Sequence, residues 1–344
     1  MTSIIRSGAL LLCCALTLPA QAADSEARQW LERMSRALAE RNYDGRFFHL
    51  SESRSETLRI IHRVDRGKIT ERLVSLDGSG REIVRNETEV ICYLPDKRTV
   101  LVEKRTDSNP LLVALPAYNE GLESHYSIER VGGVVKALGR RTQMILVQPR
   151  DQYRYGYRLW LDEETAMPLK SQLCDRNGKV IEQMLFAELN FRDKISADEL
   201  KPAITGEGFK WLRQDAEQPR IANAVVGWDV VHLPAGFKLT TWRIQIIAGS
   251  SAPVRHLVYS DGLASVSVFI EPRSSAEAAQ MHGLARLGAA FAFSRDLDGH
   301  QVTAVGEVPA ATVEAIAAGV TRQDRAAREE GADRRDQAAA PPPR

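Results

Sequence analysis

Cysteine is scarce in this chain: four in 344 residues, with Cys13 and Cys14 inside the first 22. Only Cys92 and Cys174 lie beyond them. If strands follow one another in sequence order, these two sit several strands apart at about 4.8 Å per strand, beyond the roughly 7 Å reach of a disulfide. They are expected to be unpaired and buried, and so distant a pair forms no zinc cluster. Neither sign of charge prevails, with 46 Lys and Arg against 45 Asp and Glu and a net charge of +1. That balance lacks the excess positive charge that drives general phosphate-backbone binding, and no nucleic-acid partner is expected. Past the N-terminus no apolar run reaches the about 18 residues that suggest a membrane span.

Local catalytic signatures are missing as well. The seven histidines, His49, His62, His125, His232, His256, His282 and His300, form no H-E-x-x-H or other close pair. Each is expected at a polar strand edge or in a loop. There is no G-x-S-x-G elbow, no G-x-x-x-x-G-K-[ST] loop and no G-x-G-x-x-G after a strand. The chain is therefore read as a binding protein without metal or cofactor rather than an enzyme. A triad assembled from distant residues is the one catalytic arrangement that spacing does not address.

What is present begins with Arg6, an apolar core over residues 9–18 and the small-residue site Ala20-Gln21-Ala22. Residues 1–22 are read as a secretory signal peptide. A membrane anchor would need a longer apolar run, and bulky Leu12 before Cys13 argues against lipidation there. The remainder, long enough for two domains, starts with Trp30, Leu31, Met34 and Leu38 at the spacing of one helix face. Short runs follow at 47–53, 58–64, 69–76, 82–85, 90–94 and 99–102, divided by turn residues such as Asp65-Arg66-Gly67. Turn signals so regularly spaced mark a sandwich, barrel or open meander. Between residues 107 and 127 the rhythm fails. There Leu111, Leu112, Val113 and Leu115 lie between Pro110 and Pro116, either as a plug in the core or as a flap over an apolar cleft. A strand at 143–149 resumes the pattern.

Residues 153–191 form the clearest unit. Tyr155, Tyr157, Leu159 and Leu161 alternate with Arg154, Arg158 and Trp160, and polar turns at 162–165 and 175–178 separate two further runs. This is an antiparallel meander, expected as the closing edge of the N-terminal sheet. Its aromatics read as scaffold rather than a base or sugar platform, with the interleaved arginines on the solvated face. Residues 23–200 are assigned to this first domain and 201–219 to a linker. A smaller domain spans 220–321, with strands at 225–233, 237–247, 254–260, 264–271 and 301–308. Helices are expected at 274–287 and after Pro309. The charged, Ala/Pro-rich tail 322–344 is expected to be disordered.

The stretch YGYRLWLDEETAMPLKSQLCDRNGKVIEQMLF, with the leader, the Trp30 helix, NYDGRFF at 42–48 and the two-domain layout, resembles the periplasmic sigma-E regulatory proteins of the RseB/MucB family. The resemblance implies an α+β fold. Its N-terminal domain would be an unclosed antiparallel β half-barrel with covering helices, as in the lipoprotein carriers LolA and LppX, followed by a smaller C-terminal α+β domain. It also implies a periplasmic regulator that binds the periplasmic domain of a membrane anti-sigma factor of RseA/MucA type. Such a regulator shields its partner from proteolysis and releases it on binding an acylated glycolipid or mislocalised lipoprotein; the resemblance leaves room for a homodimer. On that footing Leu111, Leu112, Val113 and Leu115 would line or gate the apolar concavity, with Trp30 and Met34 on the covering helix. Trp211, Trp228 and Trp242 are candidate partner anchors, each with a core role as the alternative. The rival reading is a lipid carrier without a regulatory partner, against which the second domain speaks.

Overall fold

The structure, a computed structural model, describes residues 20–52, 54–105, 115, 121–214, 227–245, 252–273 and 282–322. Helix α1 (Ala20–Glu40) precedes β1 (Tyr43–Ser51), β2 (Ser55–Asp65), β3 (Lys68–Ser75), β4 (Glu82–Arg85), β5 (Glu89–Leu94) and β6 (Thr99–Lys104). Then come β7 (Tyr126–Ala137), β8 (Arg140–Pro149), β9 (Gly156–Asp162), β10 (Pro168–Cys174), β11 (Val180–Phe191) and β12 (Lys210–Gln214). These twelve strands make one sheet in the order β12-β6-β5-β4-β3-β2-β1-β11-β10-β9-β8-β7. Its end strands β12 and β7 do not pair with each other, so the sheet is unclosed, the expected half-barrel.

Local chemistry sets the hairpins. Between β2 and β3, Arg66 and Gly67 both take positive φ, 50° and 79°, the type I′ geometry whose twist matches that of the flanking strands. One face of α1, Ala27, Leu31, Met34, Ala37 and Leu38, is buried at 5 % exposure or less. It packs on β7 and on Tyr43, Ile145, Leu159, Leu161, Leu169 and Phe186 of the sheet. Leu31, Met34 and Leu38 each contribute about 1.5–3 kcal/mol by leaving water.

The second domain contains β13 (Trp228–Val230), β14 (Lys238–Gln245), β15 (Val254–Ser260), β16 (Ser265–Pro272), β17 (Gly283–Leu287), β18 (Ala290–Leu297), β19 (His300–Gly306), α2 (Ala310–Gly319) and β20 (Val320–Arg322). Its main sheet runs β14-β15-β16-β19-β18-β17, and β13 pairs with β20. Val313, Ile316 and Ala317 of α2 close a separate core over Val266, Val268, Val302 and Ala304.

Several expectations are corrected. The meander β9–β10–β11 is interior rather than the closing edge, because β11 pairs along its length with β1. The span assigned to a linker contains β12, which pairs in parallel with β6, while Ile204 and Phe209 pack on Tyr93 and Val100. Of the helix expected at 274–287, residues 274–281 lie outside the described residues and Gly283–Leu287 is a strand paired with β18. Leu284 and Leu287 are 46 % and 57 % exposed, so no buried helix face exists there. Strand β7 was hidden in the sequence by an irregularity between Val131 and Val135 that interrupts the alternation. Cys174 is buried, Cys92 is half-buried, and both are free, with five strands between β5 and β10. Residues 323–344 and 1–19 lie outside the described residues, and α1 already begins at Ala20.

Candidate functional site

Strand alternation builds a cleft on the half-barrel. Phe47, His49 and Ser51 share one face of β1, Glu56 and Leu58 one face of β2, and Glu182 and Met184 one face of β11. Pairing places Phe47 opposite Leu58 and Phe186, His49 opposite Glu56 and Met184, and Ser51 opposite Glu182. Moving towards the β1–β2 hairpin, the same surface therefore changes from apolar to charged. The resulting cleft has a volume of about 580 Å³ and takes Leu73, Leu115, Tyr157 and Leu173 into its apolar part. Leu287, Gly288 and Glu307 of the second domain complete its wall.

The charged band is ordered. Arg81 Nη2 donates to both carboxylate oxygens of Glu56, at 2.9 and 3.1 Å, and His49 Nε2 lies 3.0 Å from Glu182 Oε2. The hydrogen bond to Glu182 raises the His49 pKa above its ordinary value, against the opposing effect of burial. Glu307 is held above the ordinary carboxylate range by desolvation first and by the charge of Glu182 second. More than a third of its surface is accessible, and it lines the cleft. Tyr157 is pushed upward chiefly by burial.

Beside the cleft the domains are joined through Arg154, whose side chain is fully buried. Its Nε donates to Asp261 Oδ2 at 2.5 Å. Its terminal nitrogens donate to Asp151 and to the carbonyl of Ala235. Tyr126 Oη donates to the same Asp261 oxygen at 3.0 Å, and the guanidinium carbon lies 5.0 Å from the Phe237 ring centroid. Thr312 Oγ1 of α2 donates to the Tyr153 carbonyl at 2.7 Å, and Arg286 pairs with Glu52 at 2.7 Å. Arg154 was expected on a solvated face. Because the second domain covers that face, it is the largest fully buried side chain of the described residues.

Of the residues singled out from sequence, Leu115 lines the cleft and packs on the first core. Leu111, Leu112 and Val113 lie outside the described residues. Met34 is 1 % exposed in the core, and Trp30 packs half-buried against it with the Arg33 guanidinium 4.1 Å from its ring centroid; neither lines the cleft. Trp211 is 46 % exposed, lies edge-on to Tyr93 and donates from Nε1 to the Gly206 carbonyl at 3.3 Å. Trp228 is buried in the second core, and Trp242 packs half-buried against it. The structure does not bring these three together with the cleft lining. Two histidines expected at edges or loops are interior. His62 is fully buried, 2.7 Å from Glu71 and stacked on Tyr43, and His256 is 8 % exposed, against Arg243, Ser267 and Phe269. Central strand positions with polar neighbours bury them. Sequence reading missed His49, Glu182 and Glu307; the available signal was the apolar-to-polar change along one face of β1.

Two family models match the chain: the MucB/RseB N-terminal domain over residues 26–204 and the MucB/RseB C-terminal domain over 222–321. The sigma factor AlgU regulatory protein MucB of Pseudomonas aeruginosa is 35 % identical over 90 % of this chain and 94 % of its own length. The sigma-E factor regulatory protein RseB of Escherichia coli K12 is 28 % identical over 83 % and 88 % respectively. A crystal structure of MucB in complex with MucA(peri) superposes with a TM-score of 0.67 at 30 % identity, covering 87 % of this chain and 99 % of that one. No helix among the described residues is long and apolar enough to cross a membrane. Matched along both of its domains, the chain belongs to the MucB/RseB family of sigma factor regulatory proteins.

Proposed function

We propose that this protein is a periplasmic negative regulator of an envelope-stress sigma factor. It binds the periplasmic region of a membrane anti-sigma factor of MucA/RseA type and protects it from regulated proteolysis. It releases that region when an acylated glycolipid or mislocalised lipoprotein enters the cleft. The leader read at residues 1–22 supports export, and the complex between the relative MucB and MucA supports the partner class.

The observation that carries the ligand-driven part is the cleft of about 580 Å³, apolar at one end, charged at the other and walled by both domains. An acyl chain on Phe47, Leu58 and Met184 gains about 0.8 kcal/mol per buried methylene. A 100-fold release of the partner needs about 2.8 kcal/mol of coupling, so a few methylenes suffice if the chain prefers the partner-free state. Since Leu287 and Glu307 stand in the wall, an occupant touches the second domain directly.

The test mixes the leaderless chain with the anti-sigma periplasmic segment and its site-1 protease. Slower cleavage that an acylated glycolipid restores is the expected result. Cleavage unaffected by the protein would remove the regulatory reading and leave a lipid carrier using the same cleft.

A further inference from the structure

On the outer face of the half-barrel a second hollow is walled by cations that the cleft does not use. Tyr157 and Leu173 line the cleft, so their neighbours Gly156, Arg158 and Cys174 point to the opposite side of the sheet. There, between the loop joining β8 to β9 and the turn joining β10 to β11, lies a cavity of about 260 Å³. Its charged lining is Arg150, Asp151, Arg158, Asp175 and Arg176. The floor is bare at Gly156, where a Cβ would stand 2.9 Å from the Val147 carbonyl oxygen.

Two of the three arginines are held by backbone. Arg158 Nη2 donates to the Gly178 carbonyl at 3.2 Å. Gly178 also leaves that guanidinium its room, since a Cβ there would stand 2.8 Å from the same nitrogen. Arg150 Nε donates to the Glu123 carbonyl at 3.1 Å, which leaves its terminal nitrogens for another acceptor. Arg176 stands exposed in the turn. None of the three forms an ion pair with a carboxylate among the described residues. The two carboxylates of the lining are engaged otherwise. Asp151 pairs with Arg154 at the domain seam, and Asp175 Oδ1 accepts from the backbone N–H groups of Asn177 and Lys179, both at 2.9 Å. Even with Asp261 counted against Arg154, four guanidiniums meet three carboxylates, and the excess lies in the hollow.

We propose that Arg150, Arg158 and Arg176 form a binding site for a phosphate group, carried by a soluble phosphomonoester or by a lipid headgroup. The three guanidiniums come from separate segments, a loop, a strand and a turn. One bidentate guanidinium already serves both oxygens of a carboxylate, whereas a phosphate monoester offers three charged oxygens in different directions. Arginines that approach from separate segments therefore select the phosphate. The volume is several times the roughly 30 Å³ share of one water, room for the group and its ester carbon. Lying on the other face of the sheet, the site is independent of the ligand reading of the cleft.

The experiment follows the arginine Nε–Hε NMR signals of the leaderless chain at about pH 7, where a phosphate monoester carries nearly two charges. Inorganic phosphate is titrated against sodium chloride at constant ionic strength, so that general screening does not change. The signals of Arg150, Arg158 and Arg176, assigned by their loss in single Gln variants, should shift together and saturate with one constant. Arg158→Gln should weaken the constant read at Arg150 at least about tenfold. Exposed Arg176→Gln should weaken it at least about threefold, and Lys201→Gln, an exposed cation outside the hollow, should leave it unchanged. Shifts that never saturate would overturn the proposal, as would equal constants in the parent and both arginine variants. Acetate binding as tightly as phosphate would overturn the choice of ligand. Flotation with phosphatidylcholine vesicles containing phosphatidic acid then separates the sources. Capture of the parent but not of Arg158→Gln upholds a lipid headgroup, and no capture beside saturable phosphate binding upholds a soluble ester.

Discussion

Replacing Asp261 by Asn tests the domain junction without changing side-chain shape. Asp261 Oδ1 accepts from the backbone N–H groups of Leu263 and Ala264, at 2.9 and 2.7 Å, which forms the turn between β15 and β16. Its Oδ2 accepts from Arg154 and Tyr126. An amide serves only one of these sets. With its oxygen towards the turn, its NH₂ faces a guanidinium and a phenol that both donate; flipped, it faces two backbone donors. Breaking a fully buried ion pair costs about 3–5 kcal/mol, and the lower end applies because Asp151, 29 % exposed, still pairs with Arg154. We expect a loss of about 3 kcal/mol in denaturant unfolding, in the transition that separates the domains. Adding Arg154→Met should recover part of it, because the stranded charge is gone. A loss below about 0.5 kcal/mol, or costs that simply add in the double variant, would refute the assignment of Arg154–Asp261 as the central polar contact of the seam.

Three further outcomes follow from single sites. His256 is held down to about 4 by burial first and by Arg243 second, so its neutral form stabilises the fold. That contribution is present above the ordinary 6.5 and is lost as pH falls towards 4, at up to about 1.4 kcal/mol per pH unit. Acid unfolding of His256→Gln should show a shallower slope in that window, and an unchanged slope would contradict the shift. At Gly45 a Cβ would stand 2.6 Å from Phe186 Cε1 and 2.9 Å from the Glu188 carbonyl. Gly45→Ala should therefore cost about 1–3 kcal/mol in thermal unfolding, and a neutral result would mean that β11 yields there. Met184→Asp puts a charge on the floor of the cleft and should weaken N-phenyl-1-naphthylamine binding at least about tenfold, the equivalent of 1.4 kcal/mol. Equal titration curves for parent and variant would place the probe elsewhere.

Much of the fold was legible where a single local rule governed. Period-two alternation with short polar turns located β1–β6 and β8–β11, and Thr312, Val313 and Ile316 after Pro309 marked α2. Legibility failed where a strand departs from its period, as in β7 with its irregularity before Val135, or where apolar residues stay exposed, as at Leu284 and Leu287 of β17. At the cleft, Leu115 was found because its segment is apolar between prolines. His49 and Glu182 were not, because their strands lie 133 residues apart and each alone is an ordinary polar strand residue.

The sequence by itself determined the class of fold and the family, since these depend on local periodicity, turn chemistry and the resemblance of long stretches. Only the tertiary structure decided which faces meet. It put β11 against β1 and thereby moved the meander from the edge to the middle of the sheet. It also laid the second domain over Arg154 and carried Glu307 to the cleft beside Glu182. The physical reason is that burial and charge coupling fall off over a few ångströms in space, whichever positions the partners occupy along the chain. Tyr126, Arg154 and Asp261, spread over 135 positions, become one hydrogen-bonded group only when two domains close on each other.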